Sequence, residues 1–106
     1  MNRSTISHHQ VDKMNSHLDI FVEIEDCLVT YEAPFGKMEE LISQKKILCS
    51  KKKPHRKLYL DYEGEISNGR GSLKILWKGF YTNSKNLFPE KAQIQFISRD
   101  CLDLET

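Results

Sequence analysis

The segment "HLDIFVEIEDCLVTYEA" (residues 17–33) constrains the fold more than any other part of the chain. Leu18, Ile20, Val22 and Ile24 alternate with His17, Asp19, Phe21, Glu23 and Glu25. A period of two puts the aliphatic set on one face of an extended strand and the polar set on the other. Glu25-Asp26 supplies a turn, and "CLVTYEA" is rich in β-branched and aromatic residues. The segment therefore predicts a β-hairpin, and a hairpin needs further strands to bury its apolar face.

Further strands follow from the same reasoning. "STISHHQ" predicts a short opening strand, separated from the hairpin by a polar loop. "KLYLDYEGEI" alternates and predicts a strand, returned by the loop "SNGRG", whose Gly69, Gly71 and Asn68 tolerate positive φ. "SLKILWKGFYT" predicts another strand, kinked or bulged at Lys78-Gly79. "AQIQFIS" predicts a last short strand, with "RDCLDLET" as a tail or partial strand. One helix is predicted within "APFGKMEELISQKKIL", from the spacing of Met38, Leu41, Ile42 and Ile47. Its acids come early and its lysines late, as the helix dipole favours. The expected fold is mainly β: a small antiparallel β-barrel or half-barrel with one short helix. The 106 residues allow one domain, residues 1–106, with a C-terminus that is short for a full barrel.

Charge excludes little. Basic and acidic residues nearly cancel at a net +1, so nucleic-acid binding needs a local patch. "KKILCSKKKPHRK" (residues 45–57) is such a patch, with seven Lys or Arg and no acid. By itself it reads as a solvated loop. Cys27, Cys49 and Cys101 lie far apart, which fits neither a zinc knuckle nor a disulfide framework. No stretch resembles a signal peptide or a membrane span, so a cytoplasmic protein without membrane contact is expected.

Four groups of residues could carry chemistry. Glycines and a basic residue in the loop of "DYEGEISNGRG" could cradle an anion, although by itself the segment reads as a turn. His17 and Asp19, two apart on a strand, share a face and offer an imidazole nitrogen and a carboxylate oxygen to a divalent metal such as Mn²⁺ or Zn²⁺. Either histidine of the pair His8-His9 could add a third ligand. His55 and Tyr59, with Arg56 and Lys51 to Lys53 nearby, could bind a phosphate. Each group taken singly also fits a plain surface or core role.

The order H…H-x-D-x-x-x-E, then H-x-x-x-Y-x-D-Y-E-G-x-I, then G-x-G-x-x-x-x-x-W-x-G-x-Y resembles the 3′-phosphoesterase domain of bacterial and archaeal DNA ligase D and its short stand-alone relatives. The carrying residues are "HLDIFVE" (17–23), "HRKLYLDYEGEI" (55–66) and "GRGSLKILWKGFY" (69–81), and the resemblance spans roughly residues 6–81. It implies a small β-barrel with manganese-dependent activity on DNA or RNA 3′ ends. Such an activity removes a 3′-phosphate, or a 3′-terminal ribonucleotide, and leaves a 3′-OH for repair and ligation. A DNA ligase or another repair protein is the implied partner. On this resemblance His9, His17 and Asp19 are metal ligands, with His9 standing on the opening strand. His55 and Tyr59 contact the phosphate, Lys52, Lys53 and Arg56 attract the strand backbone, and Glu23 orients a ligand. The family has an arginine two residues after the metal aspartate, where this chain has Phe21. The alternative is a catalytically weakened barrel that binds nucleic-acid ends or a repair partner without turnover.

Overall fold

A computed structural model describes residues 2–105. Eight strands form one sheet: β1 (Arg3–Gln10), β2 (Ser16–Ile24), β3 (Cys27–Pro34), β4 (Ile47–His55), β5 (Gly64–Glu65), β6 (Ser72–Thr82), β7 (Lys91–Ser98) and β8 (Cys101–Glu105). A helix α1 (Lys37–Ile42) follows β3, and a 3₁₀ turn (Lys57–Leu60) follows β4. The sheet order is β1-β2-β3-β4-β7-β8-β6-β5, and β1 also pairs with β6. Seven strands thus close into a barrel, and β5 hangs on the outside of β6.

The C-terminal residues complete the closure. β8 runs antiparallel to β7 and parallel to the end of β6, with Tyr81 opposite Leu102. The other pairings are antiparallel. Closure leaves few free edges for other chains to pair with.

The aliphatic face of the β2–β3 hairpin points into the barrel. Ile6, Leu18, Ile20, Val22, Tyr31 and Ala33 join Ile94, Leu102 and Leu104 in the main core. Each fully buried large side chain there contributes roughly 1.5–3 kcal/mol. The opposite face of β2 is buried too. Phe21, Leu28 and Leu73 on the outer wall pack against Tyr59 and Leu60 of the 3₁₀ turn. Residues 56–71 form a cap over one side of the barrel, which buries Asp19 to 3% exposure. Asp61 fastens this cap through ion pairs with Arg3 on β1 and Lys78 on β6. Glu63 accepts a hydrogen bond from the Ile75 N–H at 2.8 Å.

Four expectations change. The helix ends at Ile42, because Gln44 turns left-handed (φ 64°) and the Lys45 N–H bonds back to the Glu40 carbonyl. Ile42 is therefore solvent-exposed, and Ile47 opens β4 instead of extending the helix. Lys45 and Lys46 lie beyond the helix, where Lys46 pairs with Glu105. Secondly, the basic stretch is strand β4 and not a loop, with Pro54 inside it. Thirdly, "KLYLDYEGEI" is a 3₁₀ turn plus a two-residue strand. A strand would send adjacent Tyr59 and Leu60 to opposite faces, whereas the turn buries both. Lastly, the irregularity in β6 lies at Leu76: Trp77 pairs with Ile6 and Ile75 with Ser7.

Candidate functional site

The barrel register builds the site. His9 and His17 are direct cross-strand partners, and Asp19 lies opposite Ser7 on one side and Glu32 on the other. These positions share the outer face of the wall, beneath the edge of the cap. His9 Nδ1 lies 3.2 Å from Asp19 Oδ2, and His17 Nε2 lies 3.0 Å from Asp19 Oδ1. The two imidazole nitrogens are 3.2 Å apart. Among the described residues, His9, His17 and Asp19 are the group whose donor atoms converge as a metal site would require.

The geometry fits a divalent ion. Bonds of about 2.0–2.2 Å in tetrahedral or octahedral geometry separate neighbouring donors by about 2.8–3.6 Å. The spacing between the two imidazole nitrogens falls in that range, and so does the approach of each to its own oxygen of Asp19. The protonation pattern points the same way. His9 Nε2 lies 2.8 Å from the Arg70 carbonyl oxygen, which can only accept, so Nε2 carries the proton. In the neutral imidazole Nδ1 is then bare, and it faces the Asp19 carboxylate. Two acceptors at that distance need a proton or a cation between them. A carbonyl that holds the far nitrogen of an imidazole is also the usual support for a metal-ligating histidine. Ser7, across from Asp19, is fully buried, and its Oγ has no hydrogen-bond partner.

The charges behave accordingly. The hydrogen bond to Asp19 is the main cause that raises the His9 pKa above its ordinary value. Burial pushes Asp19 upward, but the hydrogen bonds from His17 and His9 outweigh it and hold the carboxyl below the usual range. Glu32 brings a second carboxylate, with Oε1 3.2 Å from His17 Nε2. Neutral histidines with Asp19 and Glu32 leave the cluster doubly negative, which suits a divalent cation.

A cavity of about 110 Å³ opens beside this cluster, lined by His9, Asp19, His55, Tyr59 and Arg70 with Ile66 and Leu73 as its apolar wall. A water molecule occupies about 30 Å³ in the liquid, so the space admits a small anion or a few waters. His55 closes β4, and its Nδ1 is 3.0 Å from the Lys53 carbonyl, to which it donates. Its Nε2 is therefore the nitrogen free for chemistry. Phe21 stands beneath His55, ring centroids 5.3 Å apart, and Tyr59 meets His55 edge-on at 5.9 Å. Hydrogen bonding from Arg56, aided by Arg70, lowers the Tyr59 pKa. A phenol flanked by two guanidinium groups marks an anion-binding corner.

The structure brings together His9, His17, Asp19, His55 and Tyr59, although His55 and Tyr59 meet across a strand end and a turn rather than along one strand. Arg56 lies 5.8 Å from the Tyr59 ring centroid. Lys52 approaches the site only through Glu32, at 3.6 Å. Lys53 contributes its carbonyl to His55, while the residue is solvent-exposed. The Glu23 carboxylate accepts from the Arg3 N–H, and the carboxylate beside the histidines is Glu32. The glycine loop that carries Arg70 reads by itself as a turn, yet the structure brings Arg70 to the wall of the cavity. The mean of recruitment is the tight Asn68-Gly69 turn, with φ of 65° and 67°, which sends Arg70 back toward β1.

Cys49 offers no competing chemistry, because burial pushes its thiol up to about 12. No helix among the described residues is long and apolar enough to cross a membrane. No family model matches the chain, and neither does any curated protein.

Proposed function

We propose that this protein is a metal-dependent phosphoesterase that removes the phosphate from nucleic-acid 3′ ends and leaves a 3′-OH for repair and ligation. One observation carries the reading: the His9–His17–Asp19 cluster, through His9 and Asp19, and the His55–Tyr59–Arg70 group border the same small cavity. Hydrolysis of a phosphate ester needs an electrophilic side and an anion-stabilising side facing one phosphorus atom.

His9, His17 and Asp19 would hold Mn²⁺, or Zn²⁺ as the second fit to this donor set. The bound ion supplies Lewis acidity toward a phosphoryl oxygen and lowers the pKa of a water. Arg70 keeps His9 in the ligating tautomer through its carbonyl. His55, anchored through Nδ1, presents Nε2 to the phosphate and, when protonated, donates to the leaving oxygen. The Tyr59 hydroxyl and the guanidinium group of Arg70 would hold the other phosphoryl oxygens, with Arg56 beside them on the path of the strand. Lys52 and Lys53 would attract the strand backbone, so binding weakens as salt rises. Trimming of a 3′-terminal ribonucleotide would use the same groups.

The test is release of orthophosphate from a 3′-phosphorylated oligonucleotide, with Mn²⁺ and with chelator. Metal-dependent release is the expected result, and no release under any divalent ion overturns the reading. A second reading, end binding without turnover, draws support from Phe21, which places an aromatic ring under His55 where the resembled family has an arginine. Tight oligonucleotide binding with no phosphate release selects it.

Metal affinity should depend on pH with a defined sign. Mn²⁺ must displace the proton that His9 holds, and Asp19 holds that proton on to a higher pH than usual. Affinity should therefore fall at least about tenfold per pH unit below the raised His9 value, at least one proton being displaced per ion. Asp19 itself, held low, should not interfere until more acidic conditions. Titration of free Mn²⁺ by electron paramagnetic resonance between pH 5 and 8 checks this, and a flat profile excludes His9 as a ligand.

A further inference from the structure

A second, larger cavity of about 500 Å³ adjoins the site. The two share Tyr59 and Ile66, so a ligand whose phosphate enters the smaller one carries its next group into the larger. We infer that this groove receives the base of the nucleotide bearing the reacting phosphate. The inference rests on the phosphoesterase reading and adds a substrate class to it: ends whose last nucleotide is unpaired.

The lining has the chemistry of a base pocket. Leu58, Tyr62 and Ile66 make an apolar surface, with Leu58 47% exposed and open to a ligand. The Tyr62 hydroxyl donates to the Glu65 carbonyl, which fixes the ring before anything binds. Tyr59 meets Tyr62 edge-on at 5.7 Å. Arg56 adds a guanidinium plane at the rim, and planes of this kind stack on bases as aromatic rings do. Asn68 lies at the other side and offers an amide to a base edge. Apolar stacking surface with a few polar groups suits any base, because every base has a π-face. A base seated here cannot remain paired and stacked in a duplex, so a blunt paired end must first fray.

The test uses the full chain with Mn²⁺ and three 3′-phosphorylated oligonucleotides. One ends in 2-aminopurine, one ends in an abasic residue, and one carries the 2-aminopurine paired in a blunt duplex. Affinity is read by anisotropy of a 5′ dye, stacking by 2-aminopurine fluorescence, and turnover by orthophosphate release. The single-stranded 2-aminopurine oligonucleotide should bind about 5- to 50-fold more tightly than the abasic one, with its fluorescence quenched. The duplex should be processed more slowly than the single strand. Leu58→Ala, at an exposed position, should weaken binding of the base-containing strand about three- to tenfold and leave the abasic strand unchanged. Equal binding of the first two oligonucleotides, or equal loss on both with Leu58→Ala, overturns the base pocket. Phosphate release that ignores the base overturns the pocket and keeps the phosphoesterase. Base-dependent binding without any release keeps the pocket and overturns the phosphoesterase.

Discussion

Asp19→Asn should lower Mn²⁺ affinity by at least about 100-fold and remove metal-dependent phosphate release, while the barrel stays folded. Among the described residues the carboxylate is the only group that touches both ligand histidines with separate oxygens, Oδ2 to His9 and Oδ1 to His17. An asparagine keeps the shape but removes the buried negative charge and one acceptor. His17→Ala should lose the metal likewise, since it deletes the donor between Asp19 and Glu32. Isothermal titration with Mn²⁺ gives the affinity, and full activity in either variant excludes the metal site. The same substitution has a readout that needs no metal. His9 has a raised pKa, so its protonation stabilises the fold below its unfolded value of about 6.5, and that contribution fades as pH rises through the raised value. Asp19 has a lowered pKa, so its contribution is present above about pH 4 and is lost as pH falls through the lowered value. The metal-free wild-type protein should therefore exceed Asp19→Asn in Tm most between about pH 4 and 6.5, with the gap closing toward pH 8. Thermal melts in chelator across that range check the sign. A gap that widens with rising pH contradicts the His9–Asp19 pairing.

The hairpin, the strands within residues 72–82 and 91–98 and the convergence of His17 with Asp19 were legible because strand alternation is a local property, whereas the last residues read as a tail or partial strand too short for a full barrel and instead close it as β8. Leu18, Ile20 and Val22 declare the barrel interior, and the residues between them must then face outward. The segment after Pro54 misled for a physical reason. Leu58 and Leu60 sit two apart, as on one face of a strand, yet the 3₁₀ turn buries its third and fourth residues, Tyr59 and Leu60, and leaves Leu58 exposed. The cap that this turn forms is what converts an outer strand face into a site. Without it Phe21 and Asp19 would lie in solvent; with it they are 0% and 3% exposed. Glu32 was beyond reach because its nearness to His17 depends on the β2–β3 register, in which it faces Asp19. The support of His9 was hidden for a different reason: the partner is the carbonyl of Arg70, and a main-chain acceptor leaves no trace in residue type.

Gly71→Ala should be the most damaging single methyl group added to this chain. Gly71 has φ of +94°, outside the range L side chains adopt with ease, and a Cβ there would meet the Gln10 carbonyl oxygen at 2.0 Å and Val11 Cα at 2.9 Å. Both contacts are with backbone, so no side-chain rotation relieves them. The loop must lift away from β1, which lies next to His9. That movement draws the Arg70 carbonyl from His9 Nε2 and takes the Arg70 guanidinium out of the cavity. Backbone strain and overpacking together should cost about 3 kcal/mol or more, which lowers Tm by roughly 10–20 °C for a domain of this size. Gly69→Ala is the matched control. Gly69 also has positive φ, at +67°, but nothing lies within 4 Å of its added Cβ. It should lose only the left-handed penalty of about 1–2 kcal/mol. If the closeness of the loop to β1 sets the ligating tautomer of His9, Gly71→Ala should also weaken Mn²⁺ binding at temperatures where it remains folded, and Gly69→Ala should not. Melting curves and Mn²⁺ titrations on the two variants separate general destabilisation from loss of the His9 support. Equal effects at both glycines would show that positive φ, and not the approach to Gln10, is what position 71 requires.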